Sequence, residues 1–371
     1  MVLRRPLVEL FAVEPDRIQV TWQSVPDAEL TVQVADHKVT VATNGRPGGL
    51  ILDGLTPESS YELSVRGDRS TSFTHHFRTP GHPAGEELFR FATLNDVHLG
   101  ETNFGYFKTI GDSSNRREEP SVRCAHAAIG AFRSWGAQQL IIKGDLVHRG
   151  TKQQWSSAQQ ILDRVGIPTA MMLGNHEVSP SDRIDPIAAA AAMGHDLTPN
   201  VRCLDRPGIR VVLTNTTVAG SRSGRLTRSH DQIIAAVADA NGPCIVLLHH
   251  NLQRHRFPTF LPAGIPGPQA NRLLSDLAAT GTPCCISSGH THRNRRSTRH
   301  GISLAEVGSP KDYPGVWAGY VVHEGGIRQV SYRITDPSCS EWLEQTHRAA
   351  LGVWGLWSPG TVSDRCYTLN W

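Results

Sequence analysis

The chain is 371 residues long, 39% hydrophobic and 19% charged, the profile of a globular protein with room for two domains. Its net charge of +3 is too small for a protein that binds polyanions through a strong basic field, so nucleic acid is not an expected partner. Seven cysteines, with no C-x-x-C spacing and only Cys284 and Cys285 adjacent, argue against a disulfide framework or zinc knuckle and favour a reducing compartment. The N-terminus lacks the apolar core of a signal peptide, and no segment approaches the roughly 18 apolar residues of a membrane span. A cytoplasmic location without membrane contact is therefore expected.

Residues 1–80 read as short strands separated by turns. "RIQVTWQSV", "ELTVQVAD", "HKVTVAT", "YELSVRG" and "TSFTHHFRT" alternate apolar and polar side chains, the pattern of an all-β sandwich. Trp22 lies in an early strand, and Tyr61 follows a turn at the start of a late one, as in a tyrosine corner. This stretch resembles a fibronectin type III domain, an immunoglobulin-like sandwich that serves either as a binding module or as a structural appendage. "RTPGHPAGEE", residues 78–87, reads as a linker.

From Leu88 the texture changes. Short apolar runs each end in a polar turn: "FRFATLND", "QLIIKGD", "PTAMMLGNHE", "IRVVLTNT", "PCIVLLHHN" and "PCCISSGHTH". Helical patterns such as "SVRCAHAAIGAFRSWG" and "TKQQWSSAQQILDRVG" separate several of them, which predicts an α/β sheet. The alanine run in "DPIAAAAAMG" reads as a helix. "ISLAEVGS", "AGYVVHE" and "IRQVSYRI" are strand-like, so a mixed or second sheet is expected over 88–335. The tail, 336–371, carries a helical stretch, "CSEWLEQTHRAALGVWGLW", and Trp342, Trp354, Trp357 and Trp371. Tryptophan at that density should pack on the body or on a second copy of the chain, making a homo-oligomer.

Ligand sites of open α/β sheets lie beyond the carboxyl ends of the strands. There this sequence places Asp96 and His98, Asp145, Asn175 and His176, His249, and His290 with His292. One such group is more often a turn former or helix cap; five at five strand ends are hard to dismiss. Carboxylate, amide and imidazole donors suit Mn, Fe or Zn. Six or seven of them exceed one catalytic ion and suit two ions sharing a carboxylate, which can clamp the attacking and leaving oxygens of a phosphoryl displacement. In an extended turn His290 and His292 point the same way. The arginines that follow, Arg293, Arg295, Arg296 and Arg299, read as a solvated rim.

The blocks "NDVHLG", "KGDLVHRG", "LGNHE", "LLHHN" and "GHTHRN", in this order, resemble the calcineurin-like metallophosphoesterase superfamily. The resemblance implies a four-layer α-β-β-α sandwich with a dinuclear site at the strand ends. Carried over by position, Asp96, His98 and His292 would hold one metal, Asn175, His249 and His290 the other, and Asp145 would bridge them. His176 would hydrogen-bond the phosphoryl group or protonate the leaving oxygen. His249 takes the ligand place rather than His250 because the first histidine of the pair most often does. His250 is then a second-layer or substrate-binding residue, and Arg149 a phosphate contact or a solvated arginine.

The sandwich ahead of the catalytic domain is similar to the layout of purple acid phosphatases, but His148 stands where those have a tyrosine ligand. The set of D-x-H, GD, GNH and GHTH blocks with "VGSPKDYPG" downstream is most similar to bacterial phosphodiesterases acting on cyclic nucleotides or glycerophosphodiesters. The expected function is metal-dependent hydrolysis of a small phosphorylated substrate, a diester before a monoester. A phosphomonoesterase and a non-catalytic binding protein with a vestigial site are the alternatives. Substrate choice is expected in the loop Gly100–Pro120 and in the tail.

Overall fold

A computed structural model of the chain describes residues 6–371, apart from 106–107, 115, 180–183, 198–199, 256 and 259–262. Three positions of the loop expected to choose the substrate (106, 107 and 115) therefore lie outside the described residues.

Residues 8–78 form two antiparallel sheets. One orders the strands Val8–Val13, Arg17–Trp22 and Gly48–Asp53; the other orders His37–Ala42, Glu29–Val34, Ser60–Gly67 and Ser72–Arg78. Alternate residues of both sheets, including Val20, Trp22, Leu30, Val32, Leu63 and Val65, close on one buried core. That is the sandwich the two-residue period predicts. The Thr56 N–H donates to Tyr61 Oη at 2.8 Å, tying the turn back to the strand as a tyrosine corner would.

Two six-stranded mixed sheets follow. The first runs Thr169–Met172, Gln139–Lys143, Glu87–Leu94, Val316–His323, Gly326–Arg333, Cys366–Asn370. The second runs Val201–Arg206, Ile209–Thr214, Cys244–Leu248, Cys284–Ser288, Ile302–Glu306, Arg295–Arg299. The parallel central strands are apolar on both sides because both faces are covered. In the second sheet Val211, Leu213, Ile245 and Leu247 enter the core shared with the first. Val212, Val246 and Leu248 turn the other way, into the core beneath the helices His230–Ala238 and Gly267–Ala279. Helices Pro120–Ser134 and Lys152–Asp163 contribute Phe132 and Ile161 to the shared core, so the order of layers is α-β-β-α.

The sandwich is joined to this body by buried polar contacts. Gln19 and Arg333 exchange two hydrogen bonds at 2.8 and 2.9 Å, the Trp135 indole donates to Glu14 at 3.0 Å, and the Tyr332 hydroxyl donates to the same carboxylate. Phe11 and Ala12 belong to the main core.

Three expectations need correction. The tail helix is not continuous: it runs Pro337–His347, breaks where Ala350, Leu351 and Gly352 take φ of 51°, 57° and 86°, and resumes at Val353–Trp357. Edge strands Val201–Arg206, Arg295–Arg299 and Cys366–Asn370 escape the sequence reading because their exposed side carries no apolar run. The arginines after His292 are not simply a solvated rim. Arg293 is 3% exposed, paired with Glu306 at 2.8 Å and seated over the Trp357 ring at 4.4 Å. Arg296 lies over Tyr367, and Arg299 donates to the carbonyls of Leu252 and Gln253; only Arg295 of the four is exposed.

Candidate metal centre

The predicted residues meet at the carboxyl ends of the strands. Asp96 and His98 follow Glu87–Leu94, Asp145 follows Gln139–Lys143, Asn175 and His176 follow Thr169–Met172, and His249 follows Cys244–Leu248. His290 and His292 follow Cys284–Ser288. Parallel strands in adjacent register bring these turns together, although Asp96 and His290 are 194 residues apart in sequence.

The local backbone is unusual. Asp96, His98, Asp145, His290 and His292 all have positive φ, between 49° and 68°. The extended turn expected for His290 and His292 is therefore wrong: both are left-handed, while Thr291 between them bonds Glu306 at 2.8 Å. Left-handed non-glycine residues cost about 1–2 kcal/mol each, and such strain collects where side chains must converge. Close approach explains two glycines of the blocks. A Cβ on Gly174 would stand 2.2 Å from Asp145 Oδ1, and one on Gly289 would stand 2.7 Å from Asp96 Oδ2.

Asp145 sits at the middle. Its Oδ2 lies 3.2 Å from His249 Nε2, 3.6 Å from His98 Nε2 and 4.0 Å from His176 Nε2. On one side Asp96 Oδ1 faces His292 Nε2 at 3.4 Å, and the Nε2 atoms of His98 and His292 are 3.3 Å apart. On the other, His249 Nε2 is 3.3 Å from Asn175 Oδ1, and the His249 and His290 rings are 5.1 Å apart. Asp96, His98, His249 and His290 are at most 4% exposed.

Supporting bonds orient these groups. His249 Nδ1 donates to the Lys143 carbonyl at 2.9 Å, leaving Nε2 as the inward lone pair. Asp96 Oδ2 accepts from the Asn95 amide at 2.7 Å and from the His290 N–H at 2.8 Å. Asp96 Oδ1 and His98 Nδ1 are buried without hydrogen-bond partners among the described residues. An orphaned carboxylate oxygen aimed at imidazole nitrogens is what a cation satisfies, so the residues present fit metal ions.

The electrostatics agree. Burial would raise the carboxyls of Asp96 and Asp145, but the imidazoles around them dominate: Asp96 lies well below the carboxylate range and Asp145 falls to about 2. Burial would lower His249 and His292, but neighbouring carboxylates raise them to about 9 and about 10. Burial and the neighbouring His249 push His290 down to about 3. Protons concentrate where positive charge is wanted, and metal binding would displace them.

His176 is the open member of the cluster, with 29% of its side chain accessible. Its Nδ1 lies 2.6 Å from the His148 carbonyl, and its ring is edge-on to His98 at 4.4 Å. His148 joins His98 and His176 within metal-binding distance, its ring 5.1 Å from that of His176. His250 is fully buried, with Nδ1 2.7 Å from Thr216 Oγ1 and Nε2 unpartnered among the described residues beside His249 and His290. It is walled off from solvent, as His249 is. Arg149 has an exposed side chain, and its backbone N–H donates to Gln154 at 2.7 Å.

Two residues escaped the sequence reading. Glu177, 2% exposed, accepts the backbone N–H groups of Gly174, Asp145 and Val147 at 2.7, 2.9 and 3.0 Å and so ties two of the site's turns together. Asp312, fully buried, holds His292 Nδ1 at 2.6 Å. Both stand in recognisable blocks, "LGNHE" and "VGSPKDYPG", where a lone carboxylate gives no sign of its partner.

A probable cyclic nucleotide phosphodiesterase of Psychrobacter sp. (strain PRwf-1) is 25% identical over 172 residues, covering 44% of this chain and 49% of that one. The chain thus matches about half the length of this curated relative. The solved structure of PhoD aligns over 90% of this chain and 88% of its own at 11% identity, with a TM-score of 0.45. Purple acid phosphatase PPD1 from yellow lupin (Lupinus luteus) aligns over 89% and 72% at 15% identity, with a TM-score of 0.47. The family model of calcineurin-like phosphoesterases matches residues 89–294, more than half of the chain and every turn of the cluster. On that match, and with its strand-end histidines and carboxylates gathered at one point, the chain belongs to the calcineurin-like phosphoesterase family.

Proposed function

We propose that the protein is a metal-dependent phosphoester hydrolase with a dinuclear centre, and that it prefers a small phosphodiester. The observation that carries this reading is the place of Asp145 Oδ2 between His98 and His249. Asp96, His98 and His292 form one ligand set, Asn175, His249 and His290 the other, and Asp145 serves both. Two ions held this way supply Lewis acidity and a water acidic enough to deprotonate near neutral pH.

The chain's own groups have distinct tasks. Asn95 and Asp312 orient Asp96 and His292, and Glu177 holds the turns of Asp145 and Asn175 in register. The His148 carbonyl fixes the His176 ring through Nδ1, which leaves Nε2 turned towards the cluster for a phosphoryl or leaving-group oxygen. The preference for a diester is supported by the Psychrobacter relative, a probable cyclic nucleotide phosphodiesterase.

The test is a hydrolysis panel of cyclic nucleotides, glycerophosphodiesters, and bis- and mono-p-nitrophenyl phosphate, each with Mn, Fe and Zn. Faster turnover of the diesters supports the proposal. Faster turnover of the monoester reassigns the protein to phosphomonoesters, and no turnover with bound metal marks a binding protein.

A further inference from the structure

The C-terminal segment makes a specific set of contacts with the metal centre. Asp312 is fully buried, and its Oδ2 is 2.6 Å from His292 Nδ1. A buried carboxylate in that place keeps the proton on Nδ1 and leaves Nε2 free to ligate. Its position depends on the backbone of residues 311–313, and the tail grips that backbone at two carbonyls and an N–H. The Trp342 indole donates to the Lys311 carbonyl. Thr346 Oγ1 accepts the Tyr313 N–H at 2.9 Å, while the Trp354 indole and the Ser358 hydroxyl both donate to the Tyr313 carbonyl, at 2.9 and 3.0 Å.

The same segment holds the other side of the pair. The Asn294 N–H, two residues after His292, donates to the Ser358 carbonyl at 2.8 Å, and Arg293 lies over the Trp357 ring. Trp342, Thr346 and Ser358 are each at most 1% exposed, so these bonds are shielded from water, where losing one partner leaves a buried polar group unsatisfied.

We propose that the segment Pro337–Ser358 is a positioning element of the metal centre, fixing Asp312 against His292 and thereby setting the affinity of the metal that His292 holds. The role rests on the two-metal reading above. It also accounts for hydrogen-bonding tryptophans in the tail, where apolar packing alone would need no indole N–H donors.

Co(II) titration of the full-length, metal-free protein tests this by visible absorbance, with thermal melting followed in parallel. Thr346→Val and Ser358→Ala each remove one grip. Each should weaken one of two Co(II) binding steps, by less than the about 10–100-fold expected for losing the ligand's own partner, Asp312, and leave the other step unchanged. Asp312→Asn should weaken the same step, and Thr346→Ser, which keeps the hydroxyl, should restore it. Unchanged binding in both variants, or equal weakening of both steps in proportion to lost melting temperature, overturns the proposal. Wild-type protein that fails to take up two Co(II) ions overturns the two-metal reading itself.

A second measurement needs no metal. The Nδ1 proton of His292 held by Asp312 should give an imidazole 15N–1H signal in the full-length protein, shifted or lost in Thr346→Val and retained in Thr346→Ser. The same signal in all three proteins overturns the positioning role whatever the metals do.

Discussion

Asp145 Oδ2 stands 3.2 Å from His249 Nε2, close enough that no water separates the carboxylate from the imidazole. The same oxygen lies 3.6 Å from His98 Nε2. Asp145→Ala removes the one carboxylate common to both ligand sets, so tight binding of both metals should be lost together. Metal content after dialysis measures this. Retention of either ion at full occupancy would contradict a shared carboxylate. Chelator treatment of the wild-type protein should abolish turnover, and added metal should restore it.

His176 is the most open histidine of the cluster, and its Nδ1 is held by the His148 carbonyl. His176→Ala should leave both metals bound while turnover falls by on the order of 10²–10³, the cost of losing one donor to a developing oxyanion. Steady-state kinetics and metal analysis on the same preparation check the two halves of the prediction. Lost metal would make His176 a ligand instead.

Asp27 predicts a pH dependence remote from the metals. It accepts the backbone N–H groups of Arg69, Ser70 and Thr71 at 2.6, 2.9 and 3.1 Å, and the Thr71 hydroxyl as well. The Thr71 hydroxyl and these N–H groups overcome desolvation and bring the carboxyl from 3.8 to about 2. The folded carboxyl is the more acidic one, so its contribution is present above the unfolded value and fades as pH falls through about 2. Asp27→Asn should lower the melting temperature at pH 7 and cost progressively less on acidification. A deficit equally large at pH 2 would show that the charge is not responsible.

Leu351 is fully exposed and left-handed, with φ of 57°. Its side chain buries nothing, while its Cβ bears the steric cost of that conformation. Leu351→Gly should stabilise the fold by up to about 1 kcal/mol, the relief of left-handed strain less the unfolded-state entropy that a glycine adds, read from denaturant unfolding. A loss of stability would mean that Leu351 is covered in solution.

The fold was legible where side-chain period and burial agree. The alternation of "ELTVQV" and the doubly buried run "CIVLL" announce a half-exposed and a central strand. Polar edge strands such as Arg295–Arg299, and the break at Ala350–Gly352, were not legible, because their conformation is imposed by neighbours rather than by local pattern.

The sequence by itself determined which donors are available: carboxylate, amide and imidazole groups in turns after apolar runs, with Asp145, Asn175 and His290 each beside a glycine. Only the tertiary structure decided how they are held. Left-handed backbone at Asp96, His98, Asp145, His290 and His292, and the carboxylates of Glu177 and Asp312, are settled by contacts between turns far apart in the chain. A buried carboxylate must find its partner in space, and sequence spacing carries no record of that search.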